Sequence, residues 1–385
     1  MKIALRTGAG FAAVALGLVL ATSPAVAAKE DATAFQINPS HNGNIHFQKF
    51  RPKLALKWSR DLGGQVSYPL IVDNVVYVTA VGYPGGGYGT TLYAMNLLTG
   101  DIVWQQPIAG TYFISNAAYD NGKIFVLNFD GQLSAFDAKT GGPGWSVHLD
   151  SEYDDNGPPV AYQNKVYAAE SQLYAIDEQT GIEAWTDFSG SDGAAIVTRN
   201  SVYTSAEPYH VKYTDAGRRR WLQYTGNTGG TGAHYGKRIY SRGGAVLDAA
   251  TGDVVTTLNA VNFAAAFWTD TGSNDFRLGI SNGQLSSVNA QTGTTAWSFS
   301  GDADLVTAPI VINDFVAVGS GAGTLYLLDA ATGAKRWSQT VQAGISPASE
   351  SCCTNPWIGM AAGDGALAVP GGTSISIYMP QDRKH

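Results

Sequence analysis

The chain is poor in charge. Charged residues make up 14% of its 385 positions, against roughly a quarter in an ordinary soluble protein. Cysteine is nearly absent, with two residues, so no disulfide framework can hold the fold, and a chain of this length can bury enough apolar surface to need none. No apolar run beyond residue 27 is long enough to cross a membrane as a helix of ~20 residues. The net charge is −7, and the basic cluster Arg218-Arg219-Arg220 is read as a solvated turn. That balance excludes the phosphate-neutralising surface on which sequence-independent nucleic-acid binding depends. Several motifs are missing too. There is no Gly-x-Ser-x-Gly nucleophile elbow, and GGTGAHYG carries Tyr235 where a dinucleotide fingerprint needs its third glycine.

The first 27 residues read as a secretory leader: Lys2 and Arg6, an apolar stretch to about Leu20, then the small-residue pattern Ala25-Val26-Ala27. Cleavage there would make the protein two charges more acidic. The expected location is the periplasm or the extracellular space, with no span in the mature chain. Residues 28–52 read as a polar lead-in, with His41 and His46 facing solvent, and 381–385 as a short tail.

What the chain has in abundance is glycine (46), tyrosine (19) and a repeat. LYAMNLLTGDIVW, LSAFDAKTGGPGW, LYAIDEQTGIEAW, LSSVNAQTGTTAW and LYLLDAATGAKRW start at Leu92, Leu133, Leu173, Leu285 and Leu325, with weaker copies near His210 and Ala245. Each alternates apolar and polar residues on both sides of an Asx–Thr–Gly turn, the pattern of a hairpin. Two further strands precede each hairpin, so the unit is four antiparallel strands in about 40 residues, a propeller blade. Four residues after each turn glycine stands a tryptophan, except in the fifth copy, which has Thr256. That blade is expected to be the weakest. Trp58 in LALKWSRDL is an extra copy of the tryptophan strand, and the C-terminal strands lack one. The arithmetic therefore predicts an all-β, eight-bladed propeller over 53–380, closed when the N-terminal strand completes the last blade.

The pattern Ala-x-Asp-x-x-Thr-Gly-x-x-x-Trp, complete at Ala135–Trp145 and Ala175–Trp185, resembles the tryptophan-docking motif of the pyrroloquinoline-quinone-type propeller repeat. The resemblance covers about residues 50–380. It implies that each tryptophan packs on the neighbouring blade. The family includes quinone-dependent alcohol dehydrogenases, the propeller lipoprotein of the outer-membrane β-barrel assembly machinery, and exported proteins without an assigned role. The quinone dehydrogenases carry a vicinal disulfide over their cofactor, which gives Cys352-Cys353 a possible counterpart. On the residues alone the pair can bond to each other, to another chain or not at all, and a ring that only stiffens a loop is the simpler reading.

Blades of about 41 residues leave little room for the pocket-building insertions of quinone enzymes, and no Glu, Asn and Asp set matches their calcium ligands. The acidic segments Asp150–Asp155 and Asp302–Asp304 do not follow calcium-loop spacing. The sequence thus argues for a non-catalytic binding or scaffolding module with no cofactor, monomeric, and docking an envelope or extracellular protein or glycan. Its candidate contact residues are Tyr83, Tyr88, Tyr112, Tyr153, Asp154, Asp155, Tyr209 and His210, all expected on one rim. The alternative is a minimal oxidoreductase using pyrroloquinoline quinone and calcium. A second alternative is a secreted carbohydrate-active propeller with carboxylate pairs in the central funnel.

Overall fold

A computed structural model describes residues 30–381 apart from 48–49, 151–156, 170, 192, 227–229 and 351–355. The described residues form eight antiparallel sheets and no helix, so no helix is present that could cross a membrane. Blade 1 comprises Leu70–Val72, Val75–Val81, Thr90–Asn96 and Ile102–Ile108, and blades 2 to 7 follow in chain order over residues 115–148, 160–187, 196–224, 233–257, 266–299 and 310–340. The innermost strands of neighbouring blades touch around an axis from blade 1 to blade 5 and from blade 6 round to blade 1. Blade 8 comprises Ala361–Gly363, Ala366–Gly371 and Ser374–Pro380, and its outer strand is Leu54–Asp61, which carries Trp58. This is the predicted closure, and it leaves no outer strand missing from the ring.

The Asx–Thr–Gly turns work as the pattern requires. Asp137 accepts hydrogen bonds from the backbone N–H of Lys139 and Thr140 at 3.1 and 2.8 Å, and Gly141 sits at a φ of +72°. The Thr140 hydroxyl also donates to Asp137 at 2.7 Å, and this bond, followed by the backbone ones, holds the Asp137 carboxyl below its usual range. A Cβ on Gly141 would come within 2.7 Å of the Trp104 ring. Glycine is needed there for the left-handed backbone and for the close approach of the neighbouring indole. The same contact recurs for Trp58 on Gly100, Trp145 on Gly181, Trp185 on Gly217, Trp221 on Gly252 and Trp297 on Gly333. At Gly293 the nearest atom is Leu258 Cδ2 at 3.7 Å, because Thr256 replaces the indole.

The lead-in departs from expectation. Residues 30–47 are not a solvated arm but wind once around the axis inside the ring. Glu30 accepts a backbone bond from Asp364 of blade 8, Ala32 pairs with Ile71 of blade 1, and Thr33 accepts from Tyr119 of blade 2. Pro39, Ser40, Asn42 and Gly43 then accept from Val197, His234, Phe267 and Val311 of blades 4 to 7, at 2.7–3.0 Å. Asn44–Ile45 finally adds a parallel strand to Ile310–Ile312. The polar side chains of this segment are spent on itself and on the blades. Asn38 Nδ2 donates to Asn42 Oδ1 at 2.7 Å, and Asn44 Nδ2 donates to the Phe267 carbonyl at 2.6 Å. His41 is 1% exposed, with Nδ1 and Nε2 at 2.8 and 2.9 Å from the carbonyls of Phe35 and Ala195. Only His46 of the two lies exposed. We refer to residues 30–47 as the axle.

Candidate functional site

The loops that join one blade to the next lie at the end of the ring opposite the Thr-Gly turns. There the loop between blades 7 and 8 delivers Glu350 to the axis. Its side chain is only 3% exposed. Glu350 Oε1 accepts the backbone N–H of Ala264 at 2.9 Å and lies 3.2 Å from Arg242 Nη1, while Oε2 accepts the N–H of Thr231 at 3.1 Å. One carboxylate therefore ties blades 5, 6 and 8 together. Charge-assisted bonds of this kind are the form in which a buried carboxylate is tolerated.

The axle forms the base of this cluster. Phe35 meets Trp357 and Tyr68 edge-on, with ring centroids 5.1 and 5.3 Å apart. Gln36 Nε2 donates to the Ala264 carbonyl. His41 lies close enough for the Glu350 charge to act on it. Burial still outweighs that charge and the two carbonyl contacts, and holds the imidazole below its ordinary value. Gln36, Ile37 and His41 all have positive φ, at 53°, 77° and 52°. For branched Ile37 this is a strained conformation, and such strain persists only where the surroundings impose it.

Sequence reasoning missed His41, Arg242, Glu350 and Trp357, because nothing in their spacing links them. It placed the site on the rim instead. The structure gathers part of that rim. Tyr88 is 57% exposed and lies 5.0 Å from Phe113, and Tyr112 stacks on Phe129 at 4.6 Å. The Tyr83 ring lies against Gly89, next to them. Tyr209 belongs to blade 4, where it meets Tyr224. His210 is no rim residue: it is buried, with Nδ1 2.9 Å from the Ser205 hydroxyl. The alternation of its strand explains this, since Tyr209 points out and its neighbour must point in. Tyr153, Asp154, Asp155, Cys352 and Cys353 lie outside the described residues.

The family described as outer membrane protein assembly factor BamB matches residues 54–221 and 209–352. The chain belongs to this family. The BamB of Moraxella catarrhalis superposes with a TM-score of 0.65 at 16% identity, covering 85% of this chain and 100% of that one. A quinohemoprotein alcohol dehydrogenase from Comamonas testosteroni gives 0.68 at 14% identity, over 92% and 82%. At these identities the likeness shows the propeller fold.

Among curated relatives, the quinohemoprotein alcohol dehydrogenase ADH-IIG of Pseudomonas putida is 29% identical over 34% of this chain and 21% of its own length. The lanthanide-dependent methanol dehydrogenase of Methylacidiphilum fumariolicum is 29% identical over 44% and 31%. The chain thus spans a fifth to a third of the length of these relatives. Their names overturn two expectations from the sequence, a non-catalytic scaffold and the absence of a cofactor. Blade length was the misleading signal. It measures how much is inserted between strands and says nothing of which residues the blades themselves share with these enzymes.

Proposed function

We propose that the protein is an exported, minimal quinone-dependent oxidoreductase acting on an alcohol or sugar, with its cofactor at the loop end of the axis. The observation that carries this reading is the sequence shared with quinone alcohol dehydrogenases over 29–40% of the chain. The leader-like N-terminus and the outer-membrane name of the family support export.

The residues at the axis fit the organic cofactor better than a metal. Pyrroloquinoline quinone carries carboxylates, and Arg242, about a fifth exposed, offers a guanidinium for one of them. Glu350 fixes that guanidinium in place. The axle with Phe35 and Trp357 seals the channel beneath it and keeps water from entering from below. A bound quinone would supply the two-electron acceptor for alcohol oxidation. A metal does not fit: among the described residues no three His, Cys, Asp or Glu side chains come together, and both Glu350 oxygens already accept N–H groups.

The test is to add pyrroloquinoline quinone to purified protein, alone and with calcium or lanthanum, and to measure retained quinone absorbance and dye-linked alcohol oxidation. The expected result is stoichiometric retention that Arg242→Ala abolishes. Quinone that washes out under every condition, with no oxidation, would overturn the proposal.

A further inference from the structure

The seam between blades 5 and 6 is built differently from the others. It lacks the docking tryptophan, and the outer strand of blade 5, Val254–Thr257, has 4 residues where the other outer strands have 5 to 8. A cleft of about 420 Å3 runs along it, within the ~300–1,000 Å3 usual for small-molecule sites. Asn259, Ser281, Asn282, Gln284 and Ser286 line it, and no acidic side chain does.

Arg277 of blade 6 lines the same cleft and is 3% exposed. Its Nη2 donates to the Asn259 carbonyl at 2.6 Å. Its Nε and Nη1 are buried and have no partner, and no ion pair to Arg277 forms among the described residues. Burial pushes the guanidinium down to about 10, with the Tyr240 hydroxyl acting the other way, so it stays a cation at neutral pH. A buried cation with unsatisfied donors is among the costliest arrangements in a protein interior. A packing residue chosen to fill the gap left by a missing indole would not need a charge.

We propose that this seam binds a small hydroxylated carboxylate, its acid group on the unpaired N–H groups of Arg277 and its hydroxyls on the amide and hydroxyl side chains of the cleft. The charge selects the anion. The amides and hydroxyls, which both donate and accept, select a polyhydroxylated body of about one sugar ring. The cleft runs along a blade seam, and Arg277 at its inner end also borders the small cavity of about 10 Å3 that Arg242 lines; the proposal needs no quinone at the axis.

The test uses the full protein in buffer free of phosphate and sulfate, with glucuronate as probe and glucose as the uncharged control. Calorimetry and thermal melting are read together. Glucuronate is expected to bind in the millimolar range or tighter and to raise the melting temperature with concentration, while glucose does neither. Arg277→Met should lose the glucuronate response yet be no less stable than wild type without ligand, because the variant removes an unpaired buried charge. Gln284→Trp, an exposed cleft residue, should weaken binding at least tenfold with Arg277 intact, which covers the case where Arg277→Met fails to fold. Equal responses to glucuronate and glucose, no response to either, or undiminished binding in Gln284→Trp would each overturn the proposal.

Discussion

Blades 1 to 3 and blades 4 to 6 carry the same repeat and solve the same problem with different success. In the first arc each outer strand sends an indole onto the next blade's turn glycine, and the indole N–H finds a carbonyl. Trp104 Nε1 donates to Ala138 at 3.0 Å and Trp145 Nε1 to Glu178 at 2.9 Å. Tyr77 shares the Ala138 carbonyl with Trp104. In the second arc the equivalent carbonyl, that of Ala249, receives Tyr203 at 3.2 Å and Lys212 Nζ at 2.7 Å. Trp221 Nε1 is left buried without a partner. Lys212 stands opposite Trp221, where blades 1 and 3 place Ala94 and Ala175 opposite their tryptophans. One seam further on, the tryptophan is gone altogether. A repeat fold is a sum of nearest-neighbour interfaces, so two successive defects concentrate weakness, and room for a ligand, in one sector.

The largest expected contrast comes from removing the dock. Trp145→Ala should cost about 3 kcal/mol, the low end for a large aromatic because the ring is half-buried. Thr256→Ala should cost under about 0.5 kcal/mol. Urea unfolding of the two variants checks this, and equal losses would erase the distinction between the arcs. Next come the glycines. Gly181→Ala meets the Trp145 ring at 2.6 Å and also strains a φ of +74°, whereas Gly293→Ala meets only Leu258 at 3.7 Å with a φ of +73°. The second should lose about 1 kcal/mol from backbone strain alone, and the first clearly more. Comparable melting temperatures for both would mean that indole docking contributes little.

The arcs should also answer pH with opposite signs. Glu178, in the seam of blades 2 and 3, is pushed up to about 7 by burial first and by the Asp120 charge second. The folded state therefore binds a proton that the unfolded chain has released, and this stabilisation is lost as pH rises from about 4.5 through 7. His234, in blade 5, is held below its ordinary value by burial and then by the Lys212 charge. Its contribution is present above pH ~6.5 and lost as pH falls below it. Hydrogen exchange resolved by blade should show the first arc loosening toward alkaline pH and the second toward acid, and Glu178→Gln should abolish the alkaline trend. The smallest effect is expected from Lys212→Met. It should change stability by less than about 1 kcal/mol, slow exchange of the Trp221 indole proton as Ala249 becomes available, and raise the His234 pKa. An unchanged His234 titration would show that Lys212 is not what sets the second arc apart.

The number of blades and the manner of closure were legible in the sequence because both rest on local, repeated chemistry. An Asx–Thr–Gly turn with a tryptophan four residues on means the same thing wherever it occurs. The odd seam was legible for the same reason, as Thr256 breaks the pattern. The axle was not. Asn38, His41, Asn42 and Asn44 look like a segment made for water, and only the assembled ring supplies the carbonyls and amides that replace it. Glu350 and Arg242 were also invisible. They are 108 residues apart, and their meeting is a property of the circle rather than of any stretch of chain. Arg277 sits in a strand whose alternation is ordinary, and its significance depends on what is missing from the blade beside it.

The axle has a consequence in time. Its hydrogen bonds join Pro39 to Val197, Ser40 to His234 and Gly43 to Val311, separations of 158 to 268 residues. Segments that bond across such distances order late, since closing long loops costs entropy before any contact repays it. Residues 30–47 precede every blade in the chain, yet they find their partners only after the blades to which they bond have formed. The stretch synthesised ahead of the domain must therefore wait, unpaired, inside a ring assembling around it. Leu54–Asp61 waits as well for the final hairpin. Both ends of the construction sequence are held by the same stretch of chain, residues 30–61, so the propeller becomes a closed object in a late, concerted step rather than blade by blade.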